Sequence, residues 1–256
     1  MKSCAIFLNG NLGLRVLDFV RAQSDLRLKV VVLNDARKRS EHFRAEVEGL
    51  IKGSSSPVKI LEWSPQNLEN VKQLLKNCDF GISVLFGNKI SSEFLDSFKI
   101  GAINLHPSLL PYGRGADPVP WGIMLNQPQG ATVHLLSEDL DRGDILSQEE
   151  IGIDLSMNAG EVYEKCVDSL YFQLTKILTP WLEGKLVGKD QKSQDFPTRK
   201  AAELDKLRKL RPDEILTAEA FLLRLQALTY SDGRYPVYED HNGKKWEIRI
   251  ELTPTC

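Results

Sequence analysis

The chain has 256 residues, with 33 Lys or Arg against 35 Asp or Glu, so its formal net charge at pH 7 is −2. This near balance excludes a general electrostatic attraction for nucleic acid. No apolar run approaches the roughly 20 residues that span a membrane, and the five-residue apolar run before Asn9 is too short for a secretory signal. We therefore expect a cytoplasmic protein with neither nucleic acid nor membrane as a partner.

The spacing of the cysteines argues against disulfide bonds. The four of them are widely scattered and form no Cys-x-x-Cys pair, which predicts free thiols in a reducing compartment rather than disulfides. No two His, Cys or acidic positions show a recognised ligand spacing, so no metal site is predicted. The cysteines are Cys4, Cys78, Cys166 and Cys256.

The first 155 residues alternate short apolar runs with helical patterns, which predicts a doubly wound, Rossmann-like α/β sheet with mostly parallel strands. In such sheets ligands bind beyond the carboxyl ends of the strands. Helical stretches separate the strands, for example at 12–22 and 67–75, and a long amphipathic helix at 156–184 ends at Gly184. The candidate strands are residues 4–8, 28–33, 58–61, 79–84, 100–104, 132–136 and 145–153.

The last third of the chain lacks the alternation of apolar runs and helical patterns. Residues 185–212 are polar and irregular, and residues 217–228 carry a helical apolar stripe. Asn242-Gly243 is a strong type I′ hairpin signal, and the alternation after it places Trp246, Ile248 and Ile250 on one buried strand face. We expect a main α/β domain at 1–190 and a small helix-plus-hairpin annex at 191–256.

The most informative motif lies at the end of the fifth predicted strand. Asn104 and His106 are two residues apart in extended chain, so both side chains point to the same side, and Pro107 then breaks the strand. Further along, an acidic loop runs through Asp144 into another apolar strand. An amide, an imidazole and a carboxylate brought together can stabilise an oxyanion and move a proton.

Four sequence blocks, in order and at about the expected spacing, resemble the folate-dependent formyltransferases. The Arg-Gly-Ala block is most similar to the branch that formylates nucleotide-linked amino sugars, where Arg-Gly-Ala-Asn-Pro is usual; this chain has Asp117 in place of that Asn. The blocks are Asn104-Leu-His106-Pro-Ser-Leu-Leu-Pro, Arg114-Gly-Ala-Asp-Pro118, Gly130-Ala-Thr-Val-His134 and Asp141-Arg-Gly-Asp144-Ile.

The resemblance implies a set of site residues. The catalytic places fall on Asn104, His106 and Asp144, and the formyl donor is 10-formyltetrahydrofolate. Main-chain groups of two loops, at 85–88 and 137–144, would hold its pteridine, although Gly87 could equally be a turn glycine and His134 a packed strand residue. The candidate folate contacts are Leu85, Phe86, Gly87, His134, Asp139 and Asp141.

Two basic residues near the same strand ends are candidate substrate contacts. Lys89 and Arg114 could neutralise a nucleotide diphosphate, or they could be solvated surface charges. Residues 190–256 contain twelve basic and twelve acidic residues, which disfavours a tRNA substrate. Glycinamide ribonucleotide is disfavoured because that branch lacks the Arg-Gly-Ala block and such an annex.

The expected activity is therefore N-formylation of a nucleotide-linked amino sugar by a homodimer, the common state of the sugar-modifying relatives. Three alternatives stay open at this point. They are a formyltetrahydrofolate hydrolase that uses the same three residues, a formyltransferase for another small amine, and a non-catalytic binding protein. A nicotinamide enzyme is disfavoured because the chain lacks G-x-G-x-x-G.

Overall fold

The computed structural model describes residues 1–35, 42–54, 56–191, 196–230 and 233–254. These residues form two compact units: one contains Met1–His106, Val133–Ser147 and Leu170–Gln191, and the other contains Pro107–Thr132, Gln148–Ser169 and Lys192–Cys256. The helices are α1 (Gly10–Ala22), α2 (Phe43–Ile51), α3 (Leu68–Leu75), α4 (Ser92–Leu95), α5 (Pro118–Met124), α6 (Ala159–Leu182), α7 (Ala201–Leu207) and α8 (Ala218–Leu228). The strands are β1 (Lys2–Leu8), β2 (Leu26–Leu33), β3 (Lys59–Glu62), β4 (Phe80–Val84), β5 (Gly101–His106), β6 (Gln129–Leu135), β7 (Ile145–Ile151), β8 (Lys209–Leu210), β9 (Val237–Glu239) and β10 (Lys245–Glu247).

Seven strands form one sheet in the order β3-β2-β1-β4-β5-β6-β7. The pairs β1–β2, β2–β3, β1–β4 and β4–β5 are all parallel. The chain runs outward from β1 to β3 and then returns to place β4 on the other side of β1, which creates a topological switch point. The predicted Rossmann-like α/β fold is confirmed, and each predicted strand overlaps an observed one.

The centre of the sheet consists of buried apolar strands. Residues 4–8 of β1 are fully buried, as expected for a parallel strand with both faces covered. Phe7 packs edge-to-face against Phe86, with ring centroids 5.4 Å apart, and against Trp63 at 6.0 Å. Because Phe86 lies in the loop after β4, this aromatic contact anchors that loop in the core.

The turn after β1 brings two strand ends together. The Asn9 N–H donates to the Val84 carbonyl oxygen at 3.0 Å, and α1 begins at Gly10, whose φ of 64° favours glycine. Helix α1 buries an apolar face, and α6 is followed by Gly184 with a φ of 70°. Both helices are confirmed.

The second unit contains α5, α7, α8 and a small sheet in the order β10-β9-β8. Trp121 of α5 packs with Leu204 and Leu228 of the other two helices. Arg224 of α8 is buried and donates to the carbonyl oxygens of Leu207 at 2.8 Å and Lys209 at 3.1 Å. These bonds tie α8 to the chain that leads from α7 into β8.

The predicted hairpin is confirmed as an antiparallel pair, β9 and β10, but its turn differs from the prediction. The Asp240 N–H donates to the Lys244 carbonyl oxygen at 3.0 Å, so the loop has three residues. Gly243 has a φ of 77°, and Asn242 has no positive φ, whereas a type I′ turn requires both. Trp246 is 49% exposed, so its placement on a buried face was wrong: it packs under Lys244, with the ammonium nitrogen 4.1 Å from the ring centroid.

Three cysteines are buried free thiols, and Cys256 lies outside the described residues. Burial raises the pKa of Cys78 to about 11 and that of Cys166 to about 12, which makes these thiols poor nucleophiles at neutral pH. Within the described residues, no cluster of three or more His, Cys, Asp or Glu could hold a metal ion. No helix in that part of the chain has both the length and the hydropathy needed to cross a membrane.

One carboxylate links the starts of three central strands. Asp79 Oδ2 accepts from the Ser3 N–H and from Ser3 Oγ, both at 2.7 Å, and Asp79 Oδ1 accepts from Lys99 Nζ at 2.7 Å. The Lys99 hydrogen bond and then the two Ser3 hydrogen bonds hold the pKa of Asp79 well below its usual range. Because the Lys99 side chain is 72% exposed, we assign most of the stabilisation to Ser3.

We predict that Asp79→Asn lowers the free energy of unfolding by about 1–3 kcal/mol at pH 7. A carboxylate with a lowered folded-state pKa stabilises the fold above its unfolded pKa, about 3.9, and this contribution is lost as pH falls through the folded pKa. The difference between wild type and variant in urea denaturation should therefore shrink from pH 7 to pH 2. Asp25→Asn, at an exposed carboxylate, is the matched control; a difference that persists at low pH would contradict the assignment.

Candidate functional site

The site is built on the end of β5. The strand ends at His106, as the following proline predicts, and Asn104 lies opposite Ser83 of β4. Asn104 is half-buried and His106 is 6% exposed. The Asn104 amide nitrogen lies 3.2 Å from His134 Nε2, which places this amide against the next strand of the sheet.

The surroundings of His134 define how Asn104 is held. His134 is 0% exposed, and its Nδ1 lies 2.8 Å from the Leu135 carbonyl oxygen. A carbonyl oxygen only accepts, so Nδ1 carries the proton, and in the neutral ring Nε2 accepts from the Asn104 amide. One Asn104 N–H is thereby used for orientation, and the second can serve a ligand.

Asp141 is the carboxylate that reaches the histidines. It is 6% exposed, and its Oδ1 lies 3.9 Å from His106 Nδ1 and 3.7 Å from His134 Nε2. These distances are too long for direct hydrogen bonds, so Asp141 Oδ1 lies beside both rings without a hydrogen bond to these two nitrogens. The two imidazole rings lie 6.2 Å apart at an angle of 83°.

The prediction of Asp144 as that carboxylate is not supported by this geometry. In the described part of the chain its carboxylate makes no ion pair or hydrogen bond with either histidine. Its carbonyl oxygen accepts from the Leu135 N–H at 2.9 Å, and its Cβ faces Gly188. In the turn before it, Asp141 has a φ of 55°, and Asp is among the few residues that tolerate that conformation.

The predicted folate loops lie in the same unit. Leu85, with a φ of 51°, and Phe86 are half-buried, and Gly87 is exposed. In the second loop Asp139 is exposed, and its carbonyl oxygen accepts from Ser137 Oγ at 2.9 Å. His134 is fully buried and bonded to Asn104, so it supports the site instead of facing a ligand.

Asn34 is a site residue that was not among those predicted from the sequence. This residue follows β2, is 1% exposed, and its Oδ1 accepts from the Gly87 N–H at 3.1 Å and from Asn88 Nδ2 at 2.9 Å. It therefore holds the loop after β4. A polar residue directly after four buried strand residues was the available signal.

The two predicted substrate contacts differ in accessibility. Lys89 is exposed, whereas Arg114, in the second unit, is 1% exposed. The Arg114 carbonyl oxygen accepts from the Arg199 N–H at 3.0 Å, and a Cβ on Gly115 would lie 2.3 Å from the Arg199 carbonyl oxygen. Arg114 is buried, whereas Gly115 and Ala116 are half-buried, so the Arg114 side chain is not open to a diphosphate from solvent.

Curated relatives of the chain are formyltransferases. It is 28% identical over 186 residues to a dTDP-4-amino-4,6-dideoxyglucose formyltransferase of Mycobacterium tuberculosis, covering 73% of this chain and 78% of that protein. It is 35% identical over 144 residues to a methionyl-tRNA formyltransferase of Clostridium tetani, covering 54% of this chain and 46% of that protein.

Solved structures share the fold. A 4-N formyltransferase from Francisella tularensis matches with a TM-score of 0.82 at 22% identity, over 99% of both chains. An N-formyltransferase from Helicobacter canadensis, solved with folinic acid and dTDP-3-aminofucose, matches with a TM-score of 0.68 at 16% identity, over 92% of this chain and 83% of that one.

Family profiles cover most of the chain. Residues 203–254 match the N-formyltransferase dimerization C-terminal domain. Residues 29–175, more than half of the chain, match the formyl transferase profile. The chain belongs to the formyl transferase family.

Proposed function

We propose that this protein transfers the formyl group of 10-formyltetrahydrofolate to the amine of a nucleotide-linked amino sugar, in the cytoplasm. The observation that carries the proposal is the convergence of Asn104, His106 and Asp141 at the end of a parallel strand. The mycobacterial relative acts on a dTDP-linked amino sugar, which supports the acceptor class.

The residues at the strand ends fit a folate. The half-buried Leu85 and Phe86 offer an apolar surface, and Leu85 turns the backbone sharply beside β5. A flat, polar-edged ring needs both an apolar face and main-chain groups at its rim. Loop 85–88 and segment 137–144 would hold the pteridine, and the bound folate supplies the formyl group.

The catalytic residues divide the work by their chemistry. The second N–H of Asn104 can donate to an oxyanion that develops beside it, an interaction typically worth about 10²–10³ in rate. His106 can donate a further hydrogen bond or relay a proton. Asp141, within 3.9 Å of His106 Nδ1, can orient that imidazole and take the proton released by the amine, typically worth about 10²–10⁴.

A nucleotide-linked sugar suits the chain better than tRNA. The last 67 residues carry no net positive charge, whereas RNA binding normally uses a basic stripe. The chain aligns with only 46% of the Clostridium methionyl-tRNA enzyme. The exposed Lys89, which follows the proposed folate loop, can serve a diphosphate group.

We expect one formyl group, 28 Da by mass, to be added to a nucleotide-linked amino sugar incubated with the protein and 10-formyltetrahydrofolate. The panel should include 3-amino and 4-amino dTDP- and UDP-sugars, read by mass spectrometry. Glycinamide ribonucleotide and methionyl-tRNA are the controls. Release of formate without any acceptor would indicate a hydrolase, and no turnover on the panel would overturn the proposal.

We further propose that residues 1–190 are the catalytic domain and that residues 191–256 assemble a homodimer. The profile at 203–254 is that of a dimerization domain. The segment entering α8 exposes apolar side chains in this region, with Ile215 96% exposed and Leu216 and Phe221 each 38% exposed. An uncovered apolar group of this kind is suited to burial against a second copy.

Ile215→Asp combined with Phe221→Ser should weaken the dimer by at least about 100-fold in Kd. Each buried apolar side chain contributes about 1.5–3 kcal/mol, so the two together contribute about 3–6 kcal/mol, and every 1.4 kcal/mol is about tenfold in Kd. Sedimentation equilibrium measures the change. Val187→Asp, at a residue that is 86% exposed in the other unit, is the matched control. An unchanged dimer in the double variant would exclude this surface.

A further inference from the structure

Asp141 combines two features that each cost free energy. Its backbone has a φ of 55°, in the left-handed region that non-glycine residues rarely occupy. Its carboxylate is 6% exposed, so it has lost most of its hydration. Such a residue keeps its conformation only when its surroundings determine it.

The Gln191 side chain supplies one of these determinants. Gln191 is 8% exposed, and its Nε2 donates to the Asp141 carbonyl oxygen at 2.9 Å and to the Gly143 carbonyl oxygen at 2.8 Å. A primary amide has two N–H groups, and these two bonds use both of them. The amide therefore fixes the backbone on both sides of residue 142.

The residues before Gln191 contact the same loop twice more. Lys189 and Ile145 exchange two backbone hydrogen bonds, each at 2.8 Å. A Cβ added at Gly188 would lie 2.5 Å from the Asp144 Cβ, so only glycine permits this close approach. Residues 188–191, which we call the strap, thus hold the acidic turn along its length.

We infer that the strap positions the Asp141 carboxylate against His106 and His134, and that Gln191 is a positioning residue for formyl transfer. Gln191 acts on the turn through its main chain, since the Gln191 amide donates to carbonyl oxygens on either side of Arg142. The expected effect of Gln191 on the rate of formyl transfer rests on the proposed function. Its effect on the backbone of the turn at 141–144 does not depend on that function.

Two substitutions disrupt the two hydrogen bonds that the Gln191 amide donates, each in a different way. Gln191→Met keeps the length of the side chain and removes both donors. Gln191→Glu keeps the shape and places a carboxylate against two carbonyl oxygens. If the strap sets the position of Asp141, each variant should lower kcat by about 10- to 100-fold, since a misplacement of about 1 Å costs on that order, while KM changes by less than about threefold.

Gln23→Met is the matched control. Gln23 Nε2 also donates to a backbone carbonyl oxygen, that of Phe19 at 3.2 Å, in the same unit but at the end of α1. Its loss should leave kcat unchanged. A merely structural role for Gln191 would lower the melting temperature without a selective fall in kcat.

A double-mutant cycle tests the route of action. Gln191→Met in an Asp141→Asn background should slow transfer no further than Asp141→Asn alone, because the carboxylate that the strap positions is already lost. Two independent, multiplying effects would overturn the inference. Unchanged kcat in both Gln191 variants would also overturn it.

Hydrogen exchange gives a readout without turnover. The Ile145 N–H, bonded to the Lys189 carbonyl oxygen at 2.8 Å, and its neighbours in 141–145 should exchange faster in both Gln191 variants but not in Gln23→Met. If the wild type transfers no formyl group to any acceptor, the proposed function fails. The exchange rates still show whether Gln191 holds the turn at 141–145. Unchanged exchange at 141–145 would refute the strap itself.

Discussion

The structure depends on the parallel pairing of β1, β4 and β5. Leu8 lies opposite Val84, and Val84 lies opposite Leu105, so the three strands end at the same level. The turn into α1, the loop at 85–88 and the end of β5 that carries Asn104 and His106 consequently share one edge of the sheet. Main-chain hydrogen bonds of buried strands fix this register, so the sheet itself sets the level at which Asn104 and His106 lie.

A polar site at the margin of an apolar core must satisfy its buried groups. Asn104 and His134 do this for each other, because His134 Nε2 accepts from the Asn104 amide. Asp141 Oδ1 lies 3.9 Å from His106 Nδ1 and 3.7 Å from His134 Nε2. The Leu135 carbonyl oxygen, 2.8 Å from His134 Nδ1, selects the tautomer of the neutral ring that carries its proton on Nδ1. The orientation of Asn104 therefore depends on His134, which is fully buried.

The sequence supports predictions that depend on short-range patterns. Apolar runs marked the strands, and the two-residue spacing of Asn104 and His106 placed both at one strand end. The choice between Asp141 and Asp144 depended on a left-handed residue within the turn, which a three-residue spacing does not reveal. The Arg114 carbonyl oxygen pairs with the N–H of Arg199, far along the chain, and such contacts leave no periodic trace in the sequence.

Single-turnover formyl transfer by Asp141→Asn and by Asp144→Asn shows which of the two carboxylates serves the reaction. Asn tolerates the left-handed backbone, so Asp141→Asn removes the charge and keeps the turn. We expect Asp141→Asn to slow transfer by about 10²–10⁴ and Asp144→Asn to slow it by less than about tenfold. Circular dichroism should show that both variant proteins are folded. The reverse order, with Asp144 indispensable and Asp141 replaceable, would contradict the assignment of the catalytic carboxylate.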